Sequence, residues 1–199
     1  MRKLPTIESE RLVLMPLEPK HADAVVKLAN DPELAATTLH ITHPYDIDDA
    51  FSWMKRHPVE WDKQTGLTLG VFIKNPEGKE PEIVGAISLL SINFQAELGY
   101  WIGRKFWGQG YATEAAKTLI QFGFHVLRLH RIHAQHMSHN PASGKVMQKA
   151  GMSYEGHRPL HLWKKGVGHN IELYGIINPN PTAYNPSRIE CDDEEYDPT

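Results

Sequence analysis

The chain has 199 residues, 41% hydrophobic and 23% charged, a balance ordinary for a single soluble globular domain long enough to bury a core. Its one cysteine, Cys191, excludes an intramolecular disulfide and a cysteine-rich zinc site, and a net charge of -3 gives no reason to expect nucleic-acid binding. No apolar run approaches a membrane span, and Met1-Arg2-Lys3-Leu4-Pro5-Thr6 lacks the apolar stretch of a signal peptide, so a cytoplasmic protein without a membrane partner is expected.

In chain order, residues 11–17 read as a first strand, and Pro19 with Ala22, Val25, Val26, Leu28 and Ala29 as a helix ending before Asp31-Pro32. After a loop-rich stretch, Tyr45-Asp46 introduces a second helix, with Asp46, Asp48 and Asp49 at its positive end and Ala50, Phe51, Met54 and Trp61 on one side. Residues 68–73 and 83–90 read as strands joined through the turn-rich Asn75-Pro76-Glu77-Gly78-Lys79, and a strand carrying Glu97 completes a meander. A long helix follows, then a strand at 131–136, a helix from Pro141 to Lys149, and strands at 152–158 and 170–177 that form a closing hairpin across Lys164-Lys165-Gly166-Val167-Gly168. From Asn178 the composition changes: Pro179, Pro181 and Pro186 precede the acidic run Glu190-Cys191-Asp192-Asp193-Glu194-Glu195. The expected organisation is one domain over residues 1–177 and a mobile tail over 178–199.

The most informative segment runs from Glu97 to Ala115. Leu98, Tyr100 and Ile102 alternate with Gly99 and Trp101 in a strand register that Gly103 ends. Gly108 and Gly110 permit positive φ and close backbone approach, and the chain then enters Ala112, Ala115, Ala116, Leu119, Gly123 and Val126, spaced as a buried helix stripe. The free N–H groups and positive dipole end of that helix suit a phosphate, and Arg104 and Lys105 add positive charge nearby. An ordinary loop-to-helix turn would look similar. Neither a Gly-Lys-Ser/Thr P-loop nor a dinucleotide-binding turn fits these glycines.

His130, His133, His136 and His139 recur every third residue. On a helix they would share a face and suggest a metal site; on the strand that the segment favours, successive members point to opposite faces. No metal is therefore expected.

Four segments, in order, resemble the GCN5-related N-acetyltransferase (GNAT) family, and within it the RimJ/RimL-type branch that acetylates ribosomal-protein N-termini. The family's Arg/Gln-x-x-Gly-x-Gly/Ala signature falls on Trp107-Gly108-Gln109-Gly110-Tyr111-Ala112, and the branch's Trp-Gly-x-Gly-Tyr-Ala-Thr-Glu-Ala runs intact from Trp107 to Ala115. Glu97-Leu98-Gly99-Tyr100-Trp101 is similar to the strand before it, and Asn140-Pro141-Ala142-Ser143 followed by Ala150-Gly151-Met152 is similar to the family's Asn-x-x-Ser helix and its closing Gly-Phe. The likeness spans residues 10–177. Two departures stand out: Trp107 replaces the wider family's Arg or Gln, as is usual in this branch, and Met147 stands where many relatives carry the tyrosine that protonates the leaving thiolate.

The resemblance implies an α/β (α+β) GNAT fold, with a mixed, mostly antiparallel sheet of about six to seven strands, about four flanking helices and a splayed strand pair at the cofactor site. It implies transfer of acetyl from acetyl-CoA to a primary amine by direct attack, with Trp101, Ile102, Trp107, Gly108, Gln109, Gly110, Tyr111, Ala112, Thr113, Asn140 and Ser143 on the cofactor. Glu97 is the expected base, the main-chain N–H groups of Trp101 and Ile102 the oxyanion donors, and Ser143 the hydroxyl to which protonation of the leaving thiolate falls, directly, by hydrogen bond or through water. Each has a plainer reading: Glu97 as a solvated strand-end acid, Asn140 as an N-cap before a proline at the first helical position, Ser143 as a first-turn residue. Tyr154, Trp163 and Tyr174 on the closing hairpin are candidates to line the acceptor site, with two of them expected in the core. The expected acceptor is a protein N-terminal α-amine. A polyamine, amino acid or antibiotic amine is a rival, a non-catalytic acyl-CoA-binding module is another, and a homodimer stays open.

Overall fold

The computed structural model describes residues 2–75 and 80–181. Most of the Asn75–Lys79 turn, and the tail from residue 182, lie outside the described residues. Eight strands form one sheet in the order β1-β2-β3-β4-β5-β6-β8-β7. They are β1 (Ile7–Glu8), β2 (Leu12–Met15), β3 (Gly66–Ile73), β4 (Glu82–Leu90), β5 (Gln95–Ile102), β6 (Arg131–Met137), β7 (Ser153–Lys164) and β8 (Val167–Ile177). Every pairing is antiparallel except β5 with β6. The strand beyond expectation is β1, whose two residues carry no readable alternation.

The helices are α1 (Ala22–Ala29), α2 (Pro32–Thr37), α3 (Ile47–Met54), α4 (Arg56–Asp62), α5 (Tyr111–His125) and α6 (Pro141–Lys149). Two of these depart from the sequence reading. Asp31 and Pro32, expected only to end α1, also start α2: the Asp31 carboxylate accepts from the N–H groups of Glu33 and Leu34, and Pro32 occupies the first helical position, where its missing donor costs nothing. The single helix expected from Asp46 to Trp61 breaks at Lys55, because Pro58 cannot bond the Met54 carbonyl and its ring crowds that turn. At the start of α3 the expected cap is present as a reciprocal box between Asp46 and Asp49.

Strand alternation assigns the two faces of the sheet. The Tyr100 hydroxyl reaches Ser143 on α6, whereas the Trp101 ring lies 6.2 Å from Trp53 on α3. Helices α5 and α6 thus share one face, and α1, α3 and α4 cover the other. Trp61 is 1% exposed and donates its indole N–H to the Lys3 carbonyl at 2.9 Å, fastening the N-terminal arm to α4. On α5 the expected stripe is buried at Ala115, Ala116 and Leu119, and a Cβ on Gly123 would lie 2.8 Å from the Ile132 side chain, so this glycine sets how closely α5 approaches β6. Asn178, placed at the start of the tail by composition, is instead buried, donating to the Leu129 carbonyl at 3.0 Å while its backbone N–H bonds the His130 carbonyl.

Candidate active site

β5 and β6 pair only through Gln95–Arg131, Ala96–Ile132 and Glu97–His133. Beyond that point residues 98–102 of β5 run on without β6, so the strands open into the splay that the resemblance implied. Main-chain N–H groups on that edge of β5 are where an oxyanion could be met; Gly103 N–H bonds the Val84 carbonyl on β4, so by strand alternation the expected Ile102 N–H faces the opening, whereas the expected Trp101 N–H turns into the β4 ladder. On the α3 face, Glu97 stands at the apex of the opening and accepts from the Gln135 side chain at 2.9 Å. His133, its neighbour across the pair, has its pKa lowered by burial, the Glu97 charge acting in the opposite sense. Neutral imidazole is therefore its ordinary state near pH 7.

The α5/α6 face of the same opening holds the hydroxyls. Asn140 caps α6 through its Oδ1, 3.4 Å from the Ser143 N–H, and its Nδ2 donates to the Thr37 carbonyl at 3.2 Å, tying α6 to the end of α2. The Tyr100 hydroxyl lies 2.9 Å from Ser143 Oγ and also donates to the Ser143 carbonyl at 2.9 Å. Burial holds the Tyr100 phenol protonated, far above its usual range, although the Ser143 bond works against that shift. Met147 is 2% exposed, a core residue with no proton to give. In the sequence Tyr100 is one of the alternating residues of a strand; only its partner across the fold distinguishes it.

Behind Ser143, His136 is 9% exposed and stacks on Tyr174 at 5.6 Å. Its Nδ1 donates to the Met137 carbonyl at 2.9 Å, and its Nε2 is buried without a partner. A Cβ at position 144 would sit 2.6 Å from that nitrogen, so the ring requires a glycine there. The histidine series divides accordingly, with His133 and His136 on opposite faces of β6. Of the hairpin aromatics, Tyr174 is core, but Tyr154 and Trp163 are 54% and 71% exposed, so one, and not two, packs inside.

After β5 comes a 3-10 turn, Arg104–Phe106, then Trp107, whose indole N–H donates to the Ile102 carbonyl at 2.6 Å and folds the turn back on the strand. Gly108 and Gly110 have φ of 76° and 85°, conformations that strain any residue with a Cβ. Gly110 is the N-cap of α5 and offers no side chain; the first intrahelical bond is from Glu114 N–H to the Gly110 carbonyl at 3.0 Å. The amides of Tyr111, Ala112 and Thr113 thus have no intrahelical acceptor and stand at the positive end of a long helix, a fit for a phosphate.

The charge at this turn does not come from where the sequence suggested. Arg104 pairs with Glu33 at 2.8 Å, and Lys105 with Glu82 at 2.9 Å. The guanidinium at the turn is Arg11, from the loop between β1 and β2. It donates to Glu114 Oε2 at 2.7 Å and to the Gln109 carbonyl at 3.1 Å, and lies 4.9 Å over the Tyr111 ring. Its distance along the chain hid it from a motif search.

Residues 11–153 match the acetyltransferase (GNAT) domain. The chain is 30% identical over 173 residues to the uncharacterized N-acetyltransferase p20 of Bacillus licheniformis, covering 85% of this chain and 93% of that one. It is 32% identical over 107 residues to the [ribosomal protein uS5]-alanine N-acetyltransferase of Escherichia coli, covering 52% and 55% of the two. Among solved structures, Mycobacterium smegmatis RimJ in complex with CoA-disulfide superposes with a TM-score of 0.77 at 21% identity, over 89% of this chain and 90% of that one. The chain belongs to the GNAT family and is an acetyl-CoA-dependent N-acetyltransferase.

Proposed function

We propose that the acceptor is the α-amine of a protein N-terminus and that Glu97 and Ser143 act on opposite sides of the β5/β6 opening. The observation that carries this reading is Glu97 itself, a carboxylate at the apex of the opening, held by one neutral amide. Carboxylates as a class are weak bases. An α-amine with a pKa of about 7.7–8.0 is already part free base near neutrality, whereas a lysine near 10.4 would need far stronger help. The relatives that acetylate ribosomal-protein alanine support the same class of acceptor.

Acetyl-CoA supplies an activated acyl group whose carbonyl carbon accepts the amine. Glu97 takes the amine proton through water as the N–C bond forms. The strand-edge N–H of Ile102 meets the charge that grows on the carbonyl oxygen. As the C–S bond breaks, the electron pair leaves on sulfur, and the Ser143 Oγ–H donates a hydrogen bond to it. Ser143 does not give up that proton; water protonates the thiolate. Tyr100 holds the serine by turning its one O–H from the Ser143 carbonyl to Ser143 Oγ, which leaves the serine proton free for sulfur. Asn140 lies at the same helix start, and residues 107–113 hold the phosphates.

The test is a panel of N-terminal peptides, α-blocked lysine peptides, polyamines and amino acids, scored by free-thiol release and product mass. Peptide turnover that disappears when the α-amine is blocked supports the reading; preference for a small amine, or release independent of any amine, overturns it. Glu97→Gln should lower kcat, with a rate that climbs further into the alkaline range as hydroxide takes over the proton, while CoA binding is retained. Unchanged turnover removes Glu97 from the reaction.

A further inference from the structure

The geometry points to Arg11 as the positioning residue of the phosphate cradle, an inference that rests on residues 107–113 being that cradle. The family signature's basic position is Trp107 in this chain, and the two cations of the loop, Arg104 and Lys105, are each held by carboxylates of other elements. Arg11 alone among the described cations is bonded to the cradle on both sides of its glycine cap. Its Nη1 takes the Gln109 carbonyl, just before Gly110, and its Nε takes Glu114, in the first turn just after.

The strut is itself braced. Glu114 Oε1 accepts from the Arg11 backbone N–H at 2.8 Å and from Ser9 Oγ at 2.8 Å, so one carboxylate gathers the β1–β2 loop onto α5. Those bonds hold the Glu114 carboxyl below its usual range, against the opposing effect of burial. Turning the Gln109 carbonyl toward Arg11 points the Gly110 N–H, in the same peptide plane, the other way. Gly110 enters twice. Its φ of 85° needs glycine, and a Cβ there would stand 3.3 Å from Arg11 Nη2, so the side of Gly110 that lacks an atom faces the guanidinium. Arg11 thus fixes the Gly110 N–H and ties down the first turn of α5 before any ligand arrives, which lowers the ordering cost of binding.

The test uses the full chain with acetyl-CoA and with S-acetyl-pantetheine, which lacks the phosphates. Arg11→Lys keeps the charge and an ion pair with Glu114 but cannot fork to both Glu114 and the Gln109 carbonyl. The expected result is about a tenfold rise in the calorimetric Kd for acetyl-CoA, no change for S-acetyl-pantetheine, and faster hydrogen exchange at amides 108–113 in the free protein. Arg11→Met should show the same pattern more strongly; if it fails to fold, the lysine variant still decides. Wild-type affinity and exchange in a folded Arg11→Lys protein would overturn the inference, as would equal losses for both ligands. If the wild-type protein binds the two ligands equally, the phosphate cradle itself is misplaced, a failure distinct from that of Arg11.

Discussion

Tyr100→Phe removes one oxygen and nothing else, which makes it the sharpest probe of the hydroxyl pair. The lost group lies 2.9 Å from Ser143 Oγ and 2.9 Å from the Ser143 carbonyl. That carbonyl sits in the first turn of α6 and keeps its helical partner, so the loss of stability should be about 1 kcal/mol, a fall of about 2–4 °C in Tm. The effect on catalysis is separate. Freed of its partner, the serine hydroxyl spreads over about three staggered rotamers, which costs ~0.65 kcal/mol if one is productive. Loss of the donated bond adds ~0.7 kcal/mol, and the sum of ~1.4 kcal/mol lowers kcat about tenfold. KM for acetyl-CoA should hardly move. The decisive measurement is a double-mutant cycle in steady-state kinetics: in the Ser143→Ala background, Tyr100→Phe should cost no further kcat, because no hydroxyl remains to hold. Equal losses of kcat in both backgrounds would refute the argument that Tyr100 acts through Ser143.

Three further outcomes follow from the geometry. Glu172 accepts from Ser138, His157 and Tyr154, which together hold its carboxyl at about 2, so its contribution is complete above the unfolded carboxylate pKa of about 4.3 and is lost as pH falls from there toward 2. The Tm difference between wild type and Glu172→Gln should therefore be constant near neutrality and close on acidification; a difference that widens in acid would reverse the assigned sign. Gly144→Ala drives a Cβ to 2.6 Å from His136 Nε2 and 3.1 Å from the Tyr174 hydroxyl, and should cost about 1–3 kcal/mol in chemical denaturation. Lys164 donates to the carbonyls of Ala35, Thr38 and Ile41 at the end of α2, so Lys164→Met should cost about 1.5–3 kcal/mol and accelerate amide exchange at residues 35–41; unaltered exchange would show that the hairpin does not hold this loop.

Much of this protein is legible in local chemistry. The alternation of β5, the paired glycines and the alanine-rich stripe place a strand, a turn and a helix start within one short run, because each depends only on near neighbours in sequence. The Asn140-Pro141 start of α6 and the Asp46 cap of α3 are likewise where the residues put them, since capping is a contact across a few residues. Other features carry no local signal. Pro58 divides a helix that periodicity alone joins, and Asn178, tail by composition, is held in the core by two carbonyls of the β6 approach. The charge at the glycine turn is set in the same way: Arg104 and Lys105 are nearer in sequence, but Asp31, Glu33 and Glu82 engage them, while Arg11 arrives from the first hairpin. Tyr100 and Ser143, like Glu97 and Gln135, become partners only when the sheet opens between β5 and β6 and α6 returns across it. Residue type and spacing determine which groups could do the chemistry; which of them meet is decided by contacts between distant parts of the chain, and those exist only once the core has closed.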